Sequence, residues 1–160
     1  MRKQLIIIAL IAFLISFGKE ALFKHYRFSF NFTKSISGSL FLYELDNNVK
    51  FSTGDLVVFK VRGDDIYYPD KQFLKIVAGK SGDYLKIQGR TYLINNYQVT
   101  AKEKSLRGNN LKQFLPEKNM NNIIPDNNYF VIGSSKHSYD SRYFGFVNKG
   151  QIIGKAWRIF

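Results

Sequence analysis

The hydrophobic pattern divides the chain into one long apolar run and many short ones. Leu5 to Phe17 reads LIIIALIAFLISF, apolar except for Ser16. A helix of that length spans about 20 Å, short of the roughly 30 Å hydrocarbon core of a bilayer. Lys19 can snorkel to the interface, and Ala21, Leu22 and Phe23 resume the apolar character. The following stretch, GKEALFKHYRF, offers no small-x-small cleavage site. Residues 1–23 therefore read as a retained anchor, one N-terminal transmembrane helix, rather than a removed leader. Arg2 and Lys3 precede the span and set the N-terminus on the cytoplasmic side, although Lys19, Lys24 and Arg27 reduce the asymmetry. Residues 24–160 then form the domain on the outer face.

After the anchor no long run keeps a 3.6-residue period. Short strand-like segments recur instead, broken by turn residues. LVVFKV (Leu56–Val61) follows the turn pair Gly54-Asp55, and FLKIVA (Phe73–Ala78) comes next. YLKIQ (Tyr84–Gln88) and TYLI (Thr91–Ile94) flank Gly89, a hairpin pattern. YFVI (Tyr129–Ile132) follows the turn Pro125-Asp126-Asn127-Asn128, and Ile152–Phe160 closes the chain with apolar character. The fold class expected is all-β. Residues 101–124 are a polar excursion rich in Asn and Lys; it has the character of either a lid or a surface insertion, with a short helix expected near Leu111–Leu115.

Composition narrows the chemistry. Hydrophobic residues make up 45% and aromatics 16%, a globular balance that favours strands. The absence of cysteine excludes disulfides, thiolate metal sites and Cys nucleophiles. His25 and His137 are the only histidines, too few to suggest a metal centre, and no cofactor is expected. The net charge of +12 favours anionic partners, but Lys and Arg are scattered rather than clustered. The plain reading is a solvated basic surface, and a basic face beside membrane lipid is the second; a nucleic-acid interface would want a clustered stripe.

Three polar stretches could carry chemistry: NFTKSISGSL (Asn31–Leu40), KIVAGKSGD (Lys75–Asp83) and GSSKHSYDSRYFGFV (Gly133–Val147). Lys75 lies within an apolar strand pattern, where Phe73, Lys75 and Val77 share one face and Leu74, Ile76 and Ala78 the other. Desolvation there would lower its pKa and free an amine to act as base. The bland alternative is an edge-strand lysine that blocks aggregation. Ser35 is a loop serine that would need such a base. His137, Ser138 and Asp140 stand too close in sequence for a Ser-His-Asp triad.

These segments, in order and spacing, resemble the type I signal peptidases, and most of all the TraF-like peptidases of conjugative transfer systems. The matching boxes are Thr33-Lys34-Ser35-Ile36-Ser37-Gly38-Ser39-Leu40, then Gly54-Asp55-Leu56-Val57-Val58-Phe59, then Lys75, Gly79, Gly82 and Asp83, and finally Ser138-Tyr139-Asp140-Ser141-Arg142-Tyr143-Phe144-Gly145. The resemblance covers roughly residues 5–160. It implies that Ser35 is the nucleophile and Lys75 the base, with Thr33 in the oxyanion hole. Ser138 would orient the lysine, and Asp140 and Arg142 would form a supporting ion pair. Ser37-Gly38-Ser39 also resembles the SGS of ordinary signal peptidases, which makes Ser39 the rival nucleophile. Ile36 and Ser37 replace a usual Pro or Met, and Ser134 replaces a usual Asp.

The implied activity is a Ser-Lys endopeptidase in the bacterial inner membrane, facing the periplasm. It would cleave leader segments from exported precursors, in particular a pilin precursor of a conjugative secretion machinery. A housekeeping signal peptidase and a catalytically silent, membrane-tethered assembly factor are the alternatives.

Overall fold

The computed structural model describes residues 24–31, 35–46, 49–65, 67–117 and 121–160. The anchor read in residues 1–23 lies outside them, as does Thr33. Among the described residues no helix is long and apolar enough to cross a membrane.

The architecture is β-rich. One antiparallel sheet gathers seven strands: β1 (Tyr26–Phe30), β2 (Leu40–Glu44), β3 (Leu56–Lys60), β4 (Gln72–Lys80), β8 (Asn128–Ile132), β9 (Val147–Asn148) and β10 (Ile152–Arg158). Their spatial order is β1-β2-β10-β3-β4-β8-β9, so the last strand inserts between the second and third. A three-stranded meander, β5 (Lys86–Gln88), β6 (Thr91–Ile94) and β7 (Tyr97–Thr100), forms a second sheet. A short α-helix, α1, covers Ser141–Phe144.

The local chemistry of the long strands is plain. The turn into β3 closes with the Asp55 amide donating to the Ser52 carbonyl (3.0 Å) and the Ser52 amide to the Asp55 carboxylate (2.9 Å). β4 then pairs with β3 over Leu56↔Ile76 to Lys60↔Gln72. Its alternating side chains feed two cores. Val77, with Phe73 packed beside it, joins Val57, Phe59, Val131 and Ile152. Ala78, with Ile76 packed beside it, joins Leu85, Tyr92, Ile94, Phe130 and Ile132. Each large apolar side chain so buried contributes roughly 1.5–3 kcal/mol. Gly79 is what lets the small sheet close down: a Cβ there would stand 2.0 Å from Ile94 Cδ1.

The six strand-like segments of the sequence all contain strands, with bounds shifted by a few residues. β1, β2, β7 and β9 were not foreseen by the pattern. The helix expected near Leu111–Leu115 does not form; the segment is irregular and extended. Its Phe114 amide donates to the Arg142 carbonyl (2.8 Å), so tertiary partners take the groups a helix would need. Pro116 also disfavours a helical Leu115.

Candidate active site

Lys75 sits near the middle of β4, with cores on both faces of that strand. It is 3% exposed. Its Nζ donates to Ser138 Oγ at 2.9 Å and lies 5.1 Å from the centre of the Phe73 ring. Burial is the main influence on its titration and lowers the pKa from 10.5 to about 8; Asp140 pulls it back up and Arg142 pushes it further down. The lysine of the sequence pattern is therefore a desolvated, oriented amine and not a solvent-exposed charge on the strand edge.

Ser138 is placed by the segment between β8 and α1. Its amide donates to the Ser135 carbonyl (3.0 Å). Two residues on, Asp140 caps α1 and is fully buried. Arg142 Nε and Nη2 grip its two carboxylate oxygens at 2.7 and 2.8 Å. The same guanidinium donates to the carbonyls of Ser138 (2.9 Å) and Thr100 (2.8 Å), and Asp140 also accepts from the Gly133 amide (2.9 Å). The expected ion pair is thus an interior clamp, satisfied on both sides. It fixes the residue that holds Lys75.

The Ser35 loop is seated against the segment after β8. The Ser135 amide (3.3 Å) and the Ser134 hydroxyl (3.4 Å) both donate to the Ser35 carbonyl, and the Ser37 amide donates to Ser134 Oγ (2.9 Å). Asn31 Nδ2 spans the loop from inside, donating to the carbonyls of Ile36 (2.7 Å) and Gly38 (3.1 Å). Ile36 is buried as an apolar anchor. Ser134, noted as a departure from the usual Asp, is a brace for this loop.

Sequence reasoning gave no role to Gly133. A Cβ on it would stand 2.1 Å from Ser138 Oγ and 2.5 Å from the Ser35 carbonyl oxygen. Only glycine lets the two segments approach so closely. Its position directly before Ser134 was visible in the sequence, but the convergence of two distant loops upon it was not.

Ser35, Lys75 and Ser138 line one cleft of about 600 Å³. Phe30, Asn31, Tyr67, Tyr68, Phe73 and Tyr139 contribute to its walls. Ser39 is not among the residues lining that cleft. It is exposed, its amide donating to the Phe160 carbonyl (2.8 Å) where the chain end meets β2. Asp83, the last residue of the lysine box, has a structural post: its carboxylate accepts from the Lys80 amide (3.0 Å) and Asn95 Nδ2 (2.8 Å). Among the described residues no cluster of three or more His, Asp or Glu could hold a metal.

A buried amine held by a serine hydroxyl thus lines one cleft with a braced loop serine. The comparisons with known proteins give the class. The model of the family described as "Signal peptidase, peptidase S26" matches residues 1–160, and the chain belongs to that family of serine peptidases. Signal peptidase IB of Staphylococcus aureus (strain Mu50) is 32% identical over 115 residues, covering 64% of this chain and 57% of the relative. Signal peptidase I of Haemophilus influenzae is 29% identical over 131 residues, covering 67% of this chain and 35% of the relative. The chain thus aligns with about half or less of the length of these relatives. A crystal structure of a signal peptidase I from Enterococcus faecalis superposes with a TM-score of 0.44 at 24% identity, covering 67% of this chain and 97% of that one.

Proposed function

We propose that the protein is a membrane-anchored serine endopeptidase that removes leader segments from exported precursors, with Ser35 as nucleophile and Lys75 as base. The observation that carries this reading is the buried Lys75 amine held by Ser138 in the cleft that Ser35 also lines. With a pKa near 8, about a tenth of Lys75 is neutral at pH 7, and that form can accept the Ser35 proton. The Ser35 oxygen attacks the scissile carbonyl. The Thr33 hydroxyl and the Ser35 amide are the proposed oxyanion donors. Lys75 returns the proton to the leaving amine, and water then releases the acyl group.

The fold supplies a seat for an extended substrate. Pairing of β4 with β8 begins at Ile76↔Ile132, so residues 72–75 pair with β3 alone among the described strands. Those residues line the cleft. A peptide adding along this edge places its backbone beside Lys75. Leu5–Phe17 anchors the enzyme to the inner membrane and keeps it on the surface that holds its substrates.

The finer reading is maturation of a pilin-like precursor in a conjugative transfer system, which rests on the Thr33–Leu40 resemblance. The relatives named signal peptidase I and IB favour a second reading, general processing of many exported precursors. Co-expression with a pilin precursor and with an ordinary secreted precursor separates them, with processing followed by intact mass. Cleavage of the first alone supports the pilin reading, and cleavage of both supports the general one. Loss of cleavage in Ser35→Ala and Lys75→Ala, with Ser39→Ala active, is the result expected for the chemistry. Normal processing by all three variants would leave the chain as an assembly factor.

A further inference from the structure

The polar excursion after β7 builds one wall of the cleft. Residues 103–111 double back: the Leu111 amide donates to the Glu103 carbonyl (2.7 Å) and the Ser105 amide to the Asn109 carbonyl (2.9 Å). Ser105 Oγ closes the tip by accepting from the amides of Arg107 (3.3 Å) and Asn109 (3.1 Å). The hairpin is tied down at its base. Tyr67 donates its hydroxyl proton to the Asn110 carbonyl, and Gln113 Nε2 donates to the Gly89 carbonyl (2.9 Å). The Phe114 ring packs 5.1 Å from that of Phe146. The hairpin is therefore a fixed wall with an exposed tip, Leu106 and Arg107.

The charges of the cleft are one-sided. Its described lining carries Lys75, Arg107 and His137 but no Asp or Glu. Lys75 is buried and bonded to Ser138, whereas the Arg107 guanidinium has no hydrogen-bond or ion-pair partner among the described residues. Lys102, Lys104 and Lys112 flank it in sequence, against Glu103 alone. An unpaired guanidinium on a fixed wall offers a planar donor fork to a carboxylate, and its surroundings hold no competing anion in the cleft.

We infer that Arg107 is a specificity-determining residue that selects substrates bearing an acidic side chain close to the scissile bond. This rests on the reading of the cleft as the peptide-binding site of an endopeptidase. Exposure of the tip keeps the effect moderate, about fivefold in favour of the acidic substrate, and sensitive to salt.

The test uses the full 160-residue chain in a non-ionic detergent, with a set of fluorogenic peptides of one leader sequence. Asp or its neutral isostere Asn is placed in turn at each position flanking the bond. Cleavage is read as kcat/KM, and binding is read separately by anisotropy on the Ser35→Ala variant. At one or more positions the wild type is expected to favour Asp about fivefold, with the ratio near one in R107Q and below one in R107E. Equal Asp and Asn values at every position in the wild type overturn the inference, as does an Asp preference that survives in R107Q. If no peptide is cleaved but Asp peptides bind more tightly and lose that advantage in the R107Q background, the endopeptidase reading fails and Arg107 stands as an anion selector.

Discussion

Two Asp–Arg pairs separated by the same two residues behave oppositely in this protein. Arg62 and Asp64 meet on the surface, with side chains about two-thirds exposed. Asp140 and Arg142 meet in the interior, 0% and 2% exposed, with every polar atom engaged. Spacing is identical; the surroundings differ. The first pair projects from the loop after β3 into water, while the second lies buried at the start of α1. Water screens the first to little value. The second does not have to be strongly stabilising in itself to be indispensable, since losing one partner strands the other without solvent. The same contrast separates Lys75 from the other lysines among the described residues: burial, not residue type, lowers the pKa of its amine.

The sharpest way to break the comparison is to remove the acid from each pair. Asp140→Ala is expected to cost about 3–5 kcal/mol in denaturant unfolding, and Asp64→Ala less than about 1 kcal/mol. Equal losses would mean that burial does not set the difference. Next in size is the pH dependence carried by Lys75. Its folded pKa, about 8, lies below the unfolded value of 10.5. The unfolded chain therefore holds the extra proton between those values, and stability from this group rises as pH climbs through that window. The penalty present below pH 8 is about 3 kcal/mol for a depression of this size. Lys75→Met should flatten the curve of unfolding midpoint against pH between 8 and 10.

Two smaller effects refine the picture. Gly133→Ala forces a methyl group against Ser138 and the Ser35 loop, at an expected cost of about 1–3 kcal/mol and with a fall in processing. Ser138→Ala removes the hydroxyl partner of Lys75 and should cost about 1 kcal/mol, visible as a small shift in midpoint. Its kinetic effect is larger: loss of orientation should lower the rate about a hundredfold, without changing the fold by circular dichroism.

Much of this was legible in the sequence where local pattern and local structure coincide. LVVFK and FLKIVA are short apolar runs bounded by turn residues, as buried strands are, and the Gly89 hairpin and the Pro125–Asn128 turn carry their own residue signals. The apolar neighbours of Lys75 made it a candidate base, but its selection and that of Ser138 came from the resemblance of the lysine box and the last box to those of signal peptidases. β1 and β2, YRFSF and LFLYE, escaped notice because their pairing with each other and with β10 depends on distant chain. The expected helix near Leu111–Leu115 failed for the same reason, since Arg142 and Gly89 claim that segment from elsewhere. Gly133 was the hardest to foresee: nothing in its neighbours announces that two loops nearly a hundred residues apart will meet over it.

The central claim, that Ser35 is the nucleophile and Lys75 its base, is tested most directly by trapping the acyl-enzyme. The full chain would be incubated with a leader-peptide ester, quenched in acid and digested with trypsin, and the peptide Ser35–Lys50 would be sequenced by fragment-ion mass spectrometry. The account predicts an added acyl mass on Ser35, absent in Ser35→Ala and strongly reduced in Lys75→Ala. An acyl group on Ser39, or one on Ser35 that forms equally fast without Lys75, would contradict it.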